Sequence, residues 1–202
     1  MGQEVVCTAR WAGKSVRGKA LLEATEILFR GNPRLKIPFS SIRDIAAVDG
    51  ELRLKTDAGT VVFKLGERAE KWRQKIVNPK SVLEKLGVQA GQVVAVFGNA
   101  DAKFIEKLRV QGSYVEREKF STETAWIFRF VEVADGLSEI KKLAGRMQGD
   151  TALWVVYPKG QKTISENAVL AAGRKAGLKD VKVVSFSATH TALKFVLPVA
   201  KR

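Results

Sequence analysis

The spacing of apolar residues changes partway along the chain, and this change restricts the folds that the chain can adopt. Before Gly66, seven short runs alternate apolar and polar residues, and turn signals such as Asp49-Gly50 separate them. From Ala69 to Ile76 the apolar residues recur every three or four positions, as they do along one side of a helix. The first part of the sequence therefore predicts an antiparallel sheet followed by one amphipathic helix.

After Asn78-Pro79 the pattern becomes an alternation of apolar strands and amphipathic helices. This alternation favours a mainly parallel sheet with helices on both faces. The last two apolar runs, Val181–Phe186 and Ala192–Leu197, predict a terminal antiparallel hairpin. We therefore expect an α+β protein of two domains, with the boundary between residues 1–77 and 78–202.

Composition limits the function classes. Lys and Arg exceed Asp and Glu by 14, and both halves of the chain are basic, which favours a solvated basic surface over a dedicated anion-binding element. The single cysteine and single histidine leave no set of ligands typical of a metal site, and we assign no catalytic residue and no metal. The chain lacks an apolar run long enough for a membrane span, and its first residues lack the apolar core of a signal peptide. We expect a cytoplasmic protein.

Three segments of the first domain, LKIPFSSIRDI, ELRLKTDAGTVVFKL and AEKWRQKI, together resemble the pleckstrin-homology-like barrel, including its bacterial versions. The resemblance implies a small barrel of seven strands, in which Trp72 of the following helix plugs the open end. Some such barrels bind phosphoinositides through a basic first hairpin, where this chain has Lys14, Arg17 and Lys19. In so basic a chain these cations predict a solvated loop, and binding of membrane lipid phosphate is not favoured.

The strand Gln92–Phe97 leads through Gly98-Asn99-Ala100-Asp101 into a helix, which is where nucleotide-binding domains place a glycine-rich loop. Only one of the glycines of that loop is present here. We expect Asn99 or Asp101 to cap the helix. In an open α/β sheet, ligands bind outside the carboxyl ends of the strands. The candidates at such a crevice are Gly98, Asn99, Asp101, Tyr157, Pro158 and Lys159, with Lys162 close behind as an anion candidate.

The segments KLGVQAGQVVAVFGN, GDTALWVVYPKG and AGLKDVKVVSFSATHTALKFVLP resemble a bacterial family of uncharacterised function with a shortened, methyltransferase-like Rossmann domain. The resemblance implies an S-adenosylmethionine site that uses Gly98 and an acidic residue after the second strand, for which Glu116 is the candidate and Glu118 the alternative. Only Arg117–Glu123 separate that second extended piece from the next strand. A parallel crossover normally needs more residues, so either Ser113–Glu116 is not a regular strand or the strand order departs from the family.

The sequence leads to one main hypothesis and two alternatives. The main hypothesis is a non-catalytic binding or regulatory protein that needs no cofactor and has an unknown protein or a small anionic ligand as its partner. The first alternative is a divergent S-adenosylmethionine-dependent methyltransferase. The second is a binder of nucleic acid or another polyanion, whose affinity would fall steeply with salt.

Overall fold

The computed structural model describes residues 3–201, and Met1, Gly2, Arg202 and the side chain of Lys201 lie outside the description. The chain divides into two compact units, Met1–Lys80 and Ser81–Arg202. Each unit is built on one β-sheet with few helices, which makes the protein α+β. The two units are described separately.

The first unit is a curled antiparallel sheet followed by one helix. The strand order is β4-β3-β2-β1-β7-β6-β5, and every neighbouring pair is antiparallel. The elements are β1 (Gln3–Trp11), β2 (Lys14–Leu22), β3 (Glu26–Arg30), β4 (Leu35–Pro38), a 3-10 turn (Phe39–Ser41), β5 (Ile42–Val48), β6 (Glu51–Thr56), β7 (Gly59–Lys64) and α1 (Arg68–Val77).

The concave side of this sheet holds one apolar core, to which α1 contributes Trp72. The Trp72 side chain is fully buried, in the same cluster as Phe29 and Phe63, whose ring centroids lie 5.8 Å apart. The expectation that Trp72 belongs to the core is confirmed. Its indole Nε1 is buried without a hydrogen-bond partner, so the residue is held by packing alone.

The second unit contains a six-stranded mixed sheet in the order β12-β13-β11-β10-β8-β9. Strands β9, β8, β10 and β11 are mutually parallel, whereas β13 runs antiparallel to both of its neighbours. The elements are α2 (Val82–Leu86), β8 (Val93–Phe97), α3 (Ala102–Val110), β9 (Tyr114–Arg117), β10 (Thr124–Phe130), a 3-10 turn (Ala134–Ser138), α4 (Glu139–Ala144), β11 (Ala152–Pro158), α5 (Glu166–Lys175), β12 (Lys179–Ser185), β13 (His190–Val196) and a final 3-10 turn (Val199–Lys201).

Helices cover both faces of this sheet, and each face has its own apolar cluster. Successive residues of β10 show the alternation, because Ile127 belongs to the cluster of α4 and α5 and Phe128 to that of α2 and α3. Both side chains are fully buried. The prediction of a mainly parallel sheet between two helical layers is confirmed by this arrangement.

The sequence predicts a helix from Pro79, because asparagine can cap a helix and proline fits its first turn, but α2 begins at Val82. Ser81 is its N-cap, because its side chain accepts a hydrogen bond from Glu84 N while the Glu84 carboxylate accepts one from Ser81 N. This reciprocal pair satisfies the backbone N–H groups of Ser81 and Glu84 at the start of the helix. Serine is a residue type that commonly caps helices. Ser165 caps the last helix, since its Oγ accepts a hydrogen bond from Ala168 N at 3.2 Å.

The extended piece around Ser113–Glu116 is a regular sheet member, because β9 pairs in parallel with β8 over four residues. The connection 118–123 then crosses β8 without a helix and enters β10 on the other side of it. Phe120 from this connection packs edge-on against Phe97 at a centroid distance of 6.0 Å. This short segment, which ends in a turn closed by a hydrogen bond from Thr124 N to Ser121 O, takes the place of the longer crossover that parallel strands usually need.

Among residues 3–201, no helix is both long enough and apolar enough to cross a lipid bilayer.

Candidate functional site

The carboxyl ends of β9, β8, β10 and β11 lie along one edge of the second sheet, which we call the carboxyl edge. The strand order reverses at β8, since the chain moves outward from β8 to β9 and then returns to place β10 on the opposite side. Loops that leave neighbouring strands in opposite directions open a crevice at such a point. Gly98 follows β8 at this position, so the crevice is the first place to look for a ligand site.

Gly98 is tied to the end of β9 by two hydrogen bonds. Its N–H donates to Glu118 Oε1 at 2.8 Å, and Arg117 Nη2 donates to its carbonyl oxygen at 3.2 Å. Gly98 has a φ of 85°, and a Cβ at this position would lie 2.5 Å from Phe130 O. A larger residue therefore does not fit between β8 and β10 without moving the backbone.

Glu118 itself has an unusual backbone conformation, with a φ of 55° in the left-handed region. Few residues other than glycine adopt this region, and those that do often mark functional sites. Glu116, the residue expected at this site, instead accepts hydrogen bonds from Ser121 N at 3.2 Å and Thr124 Oγ1 at 3.3 Å. The structure thus places the alternative, Glu118, beside Gly98, and Glu116 holds the connection to β10.

Asn99 and Asp101 have distinct local roles. Asn99 Nδ2 donates to Glu132 Oε1 at 3.2 Å, which joins the loop after β8 to the loop after β10. Asp101 is the N-cap of α3, and its Oδ1 accepts from Lys103 N at 2.9 Å. The expected cap is confirmed. Because a carboxylate already occupies this helix N-terminus, it is not a free phosphate site.

Arg129 is a residue at this edge that the sequence pattern did not single out. It lies in β10, in register with Phe97 of β8 and Val155 of β11. Its Nε is buried and has no hydrogen-bond partner. The available signal was one charged residue inside the run Trp126–Val131, but this alternation of residues is also what a strand packed on both faces shows.

The other sequence candidates lie at the end of β11, nearer to the terminal hairpin than to β8. Tyr157 is 3% exposed, and its hydroxyl donates to Glu166 Oε2 at 3.4 Å. Burial, with a smaller contribution from Glu166, raises the pKa of Tyr157 to about 12. Pro158 ends the strand in register with His190.

Lys159, the last of the crevice candidates, is engaged by the hairpin turn. Its Nζ donates to Ser187 O at 2.6 Å and to Ser185 Oγ at 2.9 Å. Its backbone N–H donates to Thr189 O at 2.8 Å. The crevice candidates therefore form two groups along the carboxyl edge, one around Gly98 and one around Lys159, and the lysine group is fixed by protein contacts.

Three of the remaining anion candidates lie along β2 of the first unit and do not share one face. Arg17 and Lys19 lie on the same face of β2, and Lys19 Nζ is paired with Glu4 Oε1 at 3.0 Å. Lys14 is at the start of β2 opposite Trp11, and its position in the alternation puts it on the other face. Lys162 is exposed in the loop before α5.

A cavity of about 200 Å³ lies at the opposite edge of the second sheet, with Phe120, Arg146 and Thr151 among its lining residues. It is separate from the carboxyl edge, because Thr151 comes just before β11 begins. Within the described part of the chain, no group of three or more His, Cys, Asp or Glu side chains could hold a metal ion.

No protein-family model matches this chain, and no curated protein matches it either. Among solved structures, a TehB-like SAM-dependent methyltransferase from Corynebacterium glutamicum is 10% identical over 64% of this chain and 96% of its own, with a TM-score of 0.38. A SAM-dependent methyltransferase from Aquifex aeolicus is 13% identical over 60% and 92%, with a TM-score of 0.40. The C-terminal domain of an unknown protein from Leishmania infantum is 12% identical over 37% and 78%, with a TM-score of 0.32.

Structures that resemble this chain thus include SAM-dependent methyltransferases. Similarity at these identities and TM-scores does not transfer an activity. The function is therefore argued from the residues of the carboxyl edge.

Proposed function

We propose that the second unit is a reduced, methyltransferase-like Rossmann domain that binds an adenosyl ligand such as S-adenosylmethionine at the carboxyl edge. The observation that carries this proposal is the pairing of Glu118 with Gly98 where the strand order reverses, at 2.8 Å. Two further features support it: the parallel order of β9, β8, β10 and β11, and the antiparallel β13 between β11 and β12.

The chemistry of Glu118 suits a ribose. Its Oε1 is engaged by Gly98 N–H, and no hydrogen bond to a described residue engages Oε2. A carboxylate accepts hydrogen bonds through both oxygens and so can bind the two neighbouring hydroxyls of a ribose. Because Gly98 has no side chain, the loop after β8 lies close to Phe130 O of β10, which brings Glu118 and the end of β10 to the same crevice.

Binding is proposed ahead of catalysis. Methyl transfer from a sulfonium depends on placing donor and acceptor together, and the carboxyl edge offers groups that bind rather than an acid–base pair. The main hypothesis of a binding or regulatory protein and the methyltransferase alternative therefore share their first step, occupation of this edge. The two hypotheses differ only in whether a methyl acceptor also binds and is methylated.

For the first unit we propose a pleckstrin-homology-like fold. The strand order β4-β3-β2-β1-β7-β6-β5 followed by one helix with a buried tryptophan supports this assignment. Because Arg17, Lys19 and Lys14 do not converge, a protein partner is favoured over a lipid phosphate. Binding of nucleic acid remains a proposal based on the excess of 14 positive charges.

The test of the adenosyl proposal is isothermal titration of the protein with S-adenosylhomocysteine. We expect a measurable dissociation constant in the wild type and a loss of about tenfold in Glu118→Gln, which keeps an acceptor for Gly98 N–H but loses the charge. Glu106→Gln is the matched control, because Glu106 is exposed on α3. Absence of binding at about 100 times a 10 μM dissociation constant, or equal binding by Glu118→Gln, would contradict the proposal.

A further inference from the structure

We propose that Arg129 receives the carboxylate group of the ligand bound at the carboxyl edge, an inference that rests on the adenosyl proposal above. Arg129 thus acts as the residue that selects ligands bearing an amino-acid carboxylate. The argument depends on where its guanidinium lies, which neighbours surround it and which of them are already paired.

The position of Arg129 is unusual for a charged residue. It belongs to the central parallel strand β10 and lies on the same face as Ile127 and Val131, which are 0% and 2% exposed. Arg129 as a whole is half-buried, but its Nε is buried, and arginine rarely buries a polar atom without a paired charge. Its guanidinium reaches the loops at the carboxyl edge, beside Gly98 and Gly136.

Two glycines make room for the guanidinium, which packs against their backbone. A Cβ at Gly98 would lie 3.3 Å from Arg129 Nη1, and a Cβ at Gly136 would lie 3.4 Å from Nη2. Gly98 follows β8 and Gly136 lies in the turn after β10, so the guanidinium sits between the two loops that flank the crevice. Both nitrogens of its fork therefore lie beside backbone without side chains.

The carboxylates near Arg129 have other partners. Glu118 accepts from Gly98 N–H, Glu132 accepts from Asn99 at 3.2 Å, and Glu139 is paired with Lys142 Nζ at 2.8 Å. The Lys142 hydrogen bond holds the pKa of the Glu139 carboxyl below its ordinary value, and the charge of Arg129 adds a smaller effect in the same direction. No salt bridge joins Arg129 to another residue of the described chain, and its buried Nε has no partner.

A buried donor without an acceptor is costly, so native structures rarely keep one without a reason. The planar fork of an arginine matches the two oxygens of a carboxylate. A carboxylate is favoured over a phosphate because Arg129 offers one fork here: the other nearby guanidinium, Arg117, already donates to Gly98 O, and Asp101 occupies the nearby helix N-terminus. Amino-acid-bearing adenosyl ligands carry one such carboxylate.

The experiment compares two ligands and four proteins by isothermal titration. The ligands are S-adenosylhomocysteine and its decarboxylated analogue, which keeps the adenosyl, thioether and ammonium groups. The proteins are the wild type, Arg129→Gln, Arg129→Lys and the matched control Arg109→Gln. Arg109 is exposed in the last turn of α3 and loses the same charge.

We expect Arg129→Gln to bind S-adenosylhomocysteine about 10- to 100-fold more weakly than the wild type and to bind the decarboxylated analogue equally well. Arg129→Lys should fall between them, because it keeps the charge and loses the fork. Arg109→Gln should match the wild type with both ligands. An equal loss for both ligands in Arg129→Gln, or no loss at all, would overturn the assignment.

A second titration, with malonate, separates the failure of this inference from the failure of the adenosyl proposal. If neither adenosyl compound binds the wild type, the adenosyl proposal is wrong. Arg129 still stands as a carboxylate site if malonate raises the unfolding temperature of the wild type and Arg109→Gln but not that of Arg129→Gln. Equal stabilisation of all three proteins, or of none, would refute it.

Discussion

Tyr157 shows how position alone changes the acidity of a side chain. The chain has two tyrosines, of which Tyr114 is 68% exposed and Tyr157 is buried beside Glu166. Burial disfavours the charged phenolate, and a neighbouring carboxylate disfavours it further. The pKa of Tyr157 is therefore raised from its model-compound value of 10.0 to about 12.

We predict that the two tyrosines titrate separately. In the variant Tyr114→Phe the remaining phenol should ionise with a midpoint near 12, as followed by the ultraviolet absorbance of tyrosinate. Since the folded pKa lies above the unfolded one, the stabilisation linked to Tyr157 is complete below pH 10 and is lost as the pH rises from about 10 to 12. The variant Tyr157→Phe should lose that part of the alkaline destabilisation. A midpoint near 10 in Tyr114→Phe would show that Tyr157 is solvated.

At the scale of single elements, α5 packs more closely against the sheet than its sequence suggests. A Cβ at Gly173 would lie 2.1 Å from Cε1 of Phe195, a fully buried residue of β13. Glycine in a helix costs about 1 kcal/mol relative to alanine. Here that cost is offset by the close approach of the helix to an aromatic ring.

We predict that Gly173→Ala lowers the free energy of unfolding by about 1–2 kcal/mol, because overpacking in a filled core outweighs the gain in helix propensity. Urea unfolding measures the change. The control is Gly145→Ala at the end of α4, where φ is −65° and a Cβ would meet Lys141 O at an ordinary 3.6 Å. This control should be neutral or stabilising. If Gly173→Ala were the more stable of the two variants, the close packing of α5 on Phe195 would be wrong.

At the scale of the whole molecule, each unit has its own core. The cluster around Trp72 draws only on residues before Lys80, and the two clusters of the second sheet draw only on residues after Ser81. Domains with separate cores commonly fold alone. Cutting the chain near the boundary that the sequence predicts at Asn78 therefore tests whether each unit folds alone.

We predict that a fragment from Ser81 to Arg202 folds by itself. It should show cooperative thermal unfolding by near-ultraviolet circular dichroism, because its buried tryptophan Trp154 lies in a core built within the fragment. The full chain provides the reference signal. A fragment without a cooperative transition would mean that the second unit depends on the first.

Local patterns allowed much of this fold to be predicted. The strands of both sheets, the burial of Trp72 and the caps at Asp101 and Ser165 all follow from residue type and spacing within a few positions. What the sequence could not give depends on contacts between distant residues. Lys159 meets Ser187, 28 positions away, so a lysine expected at a crevice is held by the hairpin turn.

The candidate site was predicted only in part for the same reason. Gly98 marked the edge of the sheet, but Glu118 could not be separated from Glu116 until the register of β9 on β8 was known. Arg129 was overlooked because one cation in an apolar strand resembles ordinary alternation. The position of its guanidinium between Gly98 and Gly136 depends on how the loops after β8 and β10 fold, and the sequence alone does not bring these loops together.

The short strand β9 also has a consequence for kinetics. β9 is an edge strand of the sheet, and after it the chain returns directly through 118–123 to β10. The described part of this unit therefore has no strand on the outer side of β9. A ligand held by Glu118 would therefore be open to solvent on the outer side of β9. We expect it to dissociate faster than a ligand that is enclosed by strands on both sides.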